Sequence, residues 1–198
     1  GFAMFAFVIA DPLMQAMQGG SGRGGSSADQ NVVAVEWDGG EMTEGQLGNL
    51  VNRRRLLASF LQQVQQVGYY AAIGEGAVDP QPIVAPLHLP STPEQGVERN
   101  VVNTHLFAEA ARKAGIVVSD QTVREYLADL GYQKVSNEQM RGILVQMQGG
   151  GRNTFTIDYV FDLLRDALLA RNYLASYTYQ FQTILPQQRW QDWLRVND

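Results

Sequence analysis

This chain of 198 residues contains no cysteine. That excludes a disulfide framework, a Cys-ligated zinc site and a thiol nucleophile, and it leaves the redox compartment open. Histidine is almost as scarce, with two residues, His88 and His105. Neither stands at a metal-binding spacing such as H-x-x-x-H, so no metal centre is expected. Basic runs are missing apart from Arg53-Arg54-Arg55, and the net charge is −5. A nucleic-acid footprint would need a basic stripe, so no nucleic-acid partner is expected. No apolar run reaches the roughly 20 residues of a membrane-spanning helix.

The nearest approach to such a run is Phe2 to Ala10, FAMFAFVIA, followed by Asp11-Pro12 and a weaker stretch to Met17. Its abrupt beginning favours the trailing half of a membrane anchor over 1–17. The end of a signal-peptide core and a short buried apolar tail remain alternatives. Gln18 to Gln30, QGGSGRGGSSADQ, offers nothing apolar larger than Ala. It cannot offset its ordering entropy, so 18–31 reads as a flexible linker. Its glycines do not make a phosphate loop, which needs Gly-Lys-Ser/Thr between a strand and a helix.

The folded part is expected over 32–198. Val33, Val35 and Trp37 alternate with smaller or polar residues, the period of a half-buried strand. Asp38-Gly39 is a hairpin signal, and the extra Gly40 suggests a longer turn or a bulge. Three capping boxes follow, Thr43/Gln46, Thr92/Gln95 and Ser136/Gln139, each marking a helix start. The first helix should run from Thr43 to about Tyr69, with Leu47, Leu50, Val51, Leu57, Ala58, Leu61 and Val64 as its apolar stripe. Arg54 interrupts that stripe and is expected to snorkel at its edge. Gln62-Gln63 and Gln65-Gln66 read as a solvated face.

Residues 70–91 carry Pro80, Pro82, Pro86 and Pro90, so an irregular insertion loop is expected there. A second helix should span Pro93 to Ala114 and stop at Gly115, and a third should start at an N-cap on Ser119 and stop at Gly131. The fourth is expected over Ser136 to Gln148. The fifth, about Thr156 to Phe181, should turn Ile157, Val160, Phe161, Leu164, Leu168 and Leu174 or Ala175 inward. A last short helix beyond Pro186 would carry Trp190, Trp193 and Leu194. The fold class is therefore mainly α, with a short strand or β-hairpin at the N-terminal edge.

No catalytic centre emerges. No nucleophile-elbow pattern is present. Asp158, Asp162 and Asp166 form an acidic stripe beside Arg165, which reads as a solvated helix face, because a metal site would need ligands from another helix. Met140 and Met147 suit core filling, with a plastic peptide-binding surface as the alternative. No cofactor is implied.

Three stretches resemble a known family. Val33 to Leu47, VAVEWDGGEMTEGQL, resembles the strand-turn that opens the SurA/PpiD-type periplasmic chaperones, with Asp38-Gly39 in place of Asn-Gly and Met42-Thr43 in place of Ile-Thr. Leu106 to Leu127, LFAEAARKAGIVVSDQTVREYL, is similar to a second family segment through Glu109, Ala110, Gly115, Ile116, Val118, Ser119, Asp120 and Val123. Phe155 to Leu174 is similar to the helix that follows. The resemblance spans about Val32 to Tyr177, and 70–91 has no counterpart.

That resemblance implies a SurA N-terminal-like helical chaperone domain in a peptidyl-prolyl isomerase family. It also implies a place on the periplasmic side of the bacterial inner membrane. No parvulin-like segment is present in this chain, so isomerase activity is not implied for it. The expected partners are unfolded or extended polypeptides and, through the anchor, the membrane. Client contacts would fall on Trp190, Trp193, Met140, Met147, Leu87 and Leu89. The alternative is a non-catalytic structural or assembly module that binds one defined partner or forms a homodimer.

Overall fold

A computed structural model describes residues 31–147 and 155–182. Among these the chain is mainly helical, with a two-stranded antiparallel hairpin at its N-terminal edge, as the sequence predicts. The order is β1 (Val33–Trp37), β2 (Gly40–Thr43), α1 (Glu44–Gly74), α2 (Val97–Lys113), α3 (Asp120–Leu130), α4 (Asn137–Met147) and α5 (Ile157–Gln182). The expected anchor and linker, the glycines at 149–151 and the helix beyond Pro186 lie outside the described residues. No described helix is long and apolar enough to cross a membrane.

The chain divides into two compact units. The first contains the hairpin, the start of α1 and residues 89–102. Trp37 pairs with Gly40 across Asp38-Gly39, and Gly39 takes the left-handed φ of 111°. A Cβ at Gly40 would meet the Trp37 ring at 2.9 Å, so Gly40 lets the indole lie across the ladder. The expected irregularity is not at the turn; the register slips between Val33 and Val35. The slip breaks the alternation, leaving Val33 exposed and Ala34 half-buried. The buried residues of this unit include Met42, Leu47, Val51, Leu57, Val97, Val101 and Val102.

Arg54 does not snorkel. It is 6% exposed within the α1 stripe, and burial lowers its guanidinium to about 10. At the start of the helix, the Thr43 N–H donates to Gln46 Oε1 at 2.8 Å and the Gln46 N–H to Thr43 Oγ1 at 3.3 Å, the complete reciprocal box. The box expected at Thr92/Gln95 does not form. Thr92 makes no side-chain cap bond, its hydroxyl interacts with Glu94 instead, and Gln95 Oε1 accepts from the Ser91 N–H. Pro93–Gln95 is a short 3₁₀ turn closed by Gly96 at φ 70°, so α2 starts at Val97 rather than Pro93.

The second unit holds residues 59–88 and the rest of the chain from Asn103. Its core draws on Phe60 and Val64 of α1, Ala108 and Ala111 of α2, Val123, Leu127 and Leu130 of α3, and Met140, Ile143 and Leu144 of α4. Val160, Leu164 and Leu168 of α5 are fully buried or nearly so, and α3 and α4 both pack against α5. Leu174 and Ala175, expected inward, are exposed. Among the described side chains of α5, Ala170 is the last that is buried.

Helix α1 runs one turn past its expected end, because Ala71 and Ala72 favour helix and nothing breaks it before Gly74 and Gly76. Ser136 and Gln139 exchange both capping bonds. Ser119 caps α3 by accepting from the Thr122 N–H at 3.1 Å. Gly115 ends α2 at φ 77°, with Ile116 N–H donating to Ala111 O and Gly115 N–H to Arg112 O, a Schellman closure.

Gly131 ends α3 differently. Its φ is −85°, and the left-handed positions fall on Tyr132 and Gln133, at 58° and 59°. The glycine is needed there for space: a Cβ on it would meet Val135 at 2.8 Å, and the Gly68 backbone lies against its carbonyl.

Candidate functional site

Titratable side chains of the second unit are tied into ion pairs between elements. Arg112 of α2 pairs with Asp166 of α5, and Arg165 of α5 pairs with both Asp162 and Asp120. His105 Nε2 lies 3.4 Å from Glu109 Oε1 on the same helix. Of the Asp158, Asp162 and Asp166 stripe, Asp158 and Asp162 are exposed and Asp166 is half-buried. Desolvation raises the Asp166 carboxyl, opposed by the nearby Arg112 and His105 charges. Among the described residues no group of three His, Asp or Glu is placed to hold a metal ion.

The concave surface of this unit is of another kind. An open groove of about 550 Å³ runs between Gln63, Gln66, Val67 and Tyr70 of α1 and Ile143, Gln146 and Met147 of α4. Both helices present residues three and four apart, so two helical stripes face each other across it. A second groove, about 390 Å³, adjoins it and shares Gln66 and Tyr70. It is completed by Gln62, Gln65 and Tyr69, by Pro80, Gln81 and Pro82, and by Tyr132 after α3. Tyr69 stands edge-on to Tyr70 and to Tyr132, with ring centroids 5.8 and 6.1 Å away.

Among the described residues no charged side chain lines either groove. Glutamine amides and tyrosine hydroxyls offer donors and acceptors, while tyrosine rings, prolines, Val67 and Met147 offer apolar surface. Tyr70 is 63% exposed, which makes it the largest uncovered aromatic surface here. Such a lining can hold the repeating N–H and C=O groups of a polypeptide together with uncharged side chains. It supplies neither nucleophile nor general base with a charged partner.

The expected client-contact residues divide. Met147 and its neighbour Ile143 line the first groove, while Met140 is buried in the core. Leu87 and Leu89 are half-buried, and the Leu87 N–H donates to Tyr126 Oη at 3.0 Å, so this leucine's backbone is anchored on the protein itself. Trp190 and Trp193 lie outside the described residues. The glutamine pairs, expected as a solvated face, also supply much of the lining of these open grooves, with Gln62 and Gln66 exposed. Their one sequence signal is a dense polar but uncharged stretch beside the Tyr69-Tyr70 pair.

Comparison with protein-family models, with curated proteins and with solved structures returns no match for this chain.

Proposed function

We propose that the chain is a binding module for extended polypeptide, acting as a chaperone-type holdase on unfolded or partly unfolded clients. The observation that carries this reading is the uncharged, open groove between α1 and α4, with glutamine amides beside the exposed Tyr70 ring. Surfaces of this kind repack around many partners and bind each one weakly. The resemblance to SurA/PpiD-type chaperones supports the same reading from the sequence. In this reading the apolar stretch over 2–10 is the end of an inner-membrane anchor, and the helical units work on the periplasmic side. That part rests on the sequence alone.

The test is aggregation of an unfolded outer-membrane protein with and without this chain, together with titration of labelled uncharged peptides. Suppression and micromolar binding that Tyr70→Ala weakens are expected. Absence of both overturns the reading. A tight, concentration-independent dimer that buries the groove would favour the assembly-module alternative.

A further inference from the structure

Between α1 and the 3₁₀ turn, the backbone crosses α3 without helix or strand and bends at Ile83 and Val84. Three polar contacts hold it. The Ile83 N–H donates to the Asp129 carbonyl at 3.2 Å. The Leu87 N–H donates to Tyr126 Oη at 3.0 Å, and that hydroxyl lies 3.5 Å from the Ala85 carbonyl, to which it donates. The contacts fall on residues 83, 85 and 87, alternate positions along the segment. Both donated N–H groups come from the residue directly after a proline, Pro82-Ile83 and Pro86-Leu87, four positions apart. Prolines stiffen such a segment and lower its ordering cost.

The α3 side of this seat is firmly built. Tyr126 is buried, its ring lies under the Arg171 guanidinium at 5.4 Å, and Val123, Leu127 and Leu130 fix the helix. The segment itself is lightly held. Ile83 is 65% exposed, Ala85 and Pro86 are exposed, and Pro82, Val84 and Leu87 are half-buried, so none of the side chains of 82–87 is fully buried. A rigid seat carrying a lightly held occupant is the arrangement in which local opening costs less than global unfolding.

We infer that the α3 face carrying Tyr126 and Asp129 is a docking site for proline-punctuated apolar peptides, which the chain's own 82–87 segment occupies as a displaceable stand-in. The ligand class is a pair of Pro–aliphatic steps four residues apart, read through its backbone. This site is separate from the groove between α1 and α4 and does not rest on the function proposed for that groove.

The experiment replaces residues 79–88 by a Gly/Ser stretch of equal length and titrates a labelled peptide with the sequence of residues 79–88. The replaced variant should bind at least about tenfold more tightly than the intact chain, because no internal competitor remains. Tyr126→Phe in that background should weaken binding on the order of fivefold to tenfold, one hydrogen-bonding hydroxyl being lost. The gain in affinity on replacement should persist in a Gln63→Ala, Gln146→Ala background, which separates it from the α1–α4 groove. Equal binding by the intact and replaced chains, or indifference to Tyr126→Phe, overturns the inference.

Should the replaced variant fail to fold, hydrogen exchange on the intact chain decides. The Ile83 and Leu87 amides should exchange well before those of Leu127 and Leu130. Exchange only together with those core amides would show that the segment never leaves its seat.

Discussion

Gly68 of α1 and Gly131 at the end of α3 meet backbone to backbone: a Cβ on Gly68 would stand 2.3 Å from the Gly131 carbonyl oxygen. No side-chain movement can relieve that clash, because the obstacle is main chain. Gly68→Ala should therefore destabilise the protein by roughly 2–4 kcal/mol, the range of severe overpacking. Gly142→Ala is the control. Its Cβ would meet nothing within 4 Å in the middle of α4, so it should stabilise by about 0.5–1 kcal/mol through helix propensity. Denaturant unfolding of the two variants checks both signs.

The capping boxes give a graded prediction. Thr43→Ala and Ser136→Ala should each cost about 1 kcal/mol, since each hydroxyl accepts an otherwise orphaned N–H. Thr92→Ala should cost no more than a few tenths, because Thr92 makes no side-chain cap bond. Equal losses at all three positions in thermal melts would contradict the observed geometry.

Much of this fold was legible because its causes are local. The boxes at Thr43 and Ser136, the cap at Ser119 and the glycine closure at Gly115 each act within a few residues. Thr92 shows where local reading stops: the same spacing, with Pro93 and Gly96 beside it, makes a 3₁₀ turn instead. Contacts distant in sequence were not legible. Nothing near Gly68 announces Gly131, and the periodicity of α1 shows which residues avoid its core without showing that Ile143 and Met147 stand opposite them. The glutamines thus read as solvated until α4 supplies the other wall.

Arg54 tests the cost of a buried cation. Burial lowers its guanidinium from its ordinary range to about 10. The folded state thus gives up its proton more readily than the unfolded state does. Stability should rise as pH climbs past about 10, where the unfolded chain binds more protons. At neutral pH the desolvated charge opposes folding, so Arg54→Met, whose shorter but apolar and unbranched chain lies in the same stripe, should stabilise by about 1–3 kcal/mol. Urea midpoints at neutral pH would show it, and a lower midpoint for the variant would mean that the partners of Arg54 outweigh its desolvation.

Asp166 gives the opposite pH sign in the acid range. Desolvation raises its carboxyl above 3.8 in spite of Arg112. The folded state therefore holds this proton to higher pH than the unfolded state. Its favourable contribution is complete below 3.8 and is lost as pH rises through the raised folded value. Wild type should lose stability relative to Asp166→Asn across that window, read from unfolding midpoints between about pH 3.5 and 6.

Binding in the groove should ignore salt. None of its described lining residues is charged, so they offer no ion pair for screening. Peptide affinity measured by calorimetry at low and at high ionic strength should agree within about twofold. A charge introduced at the right point should break this neutrality. Gln66 lines both grooves and is exposed, so Gln66→Glu replaces an amide donor with a carboxylate at small cost to the fold. A bound peptide carbonyl would then face a charge in place of its donor, and affinity should fall about tenfold. The variant should also acquire a preference for basic peptides that fades as salt is added. If Gln66→Glu binds neutral peptides as wild type does, the polypeptide does not lie along α1.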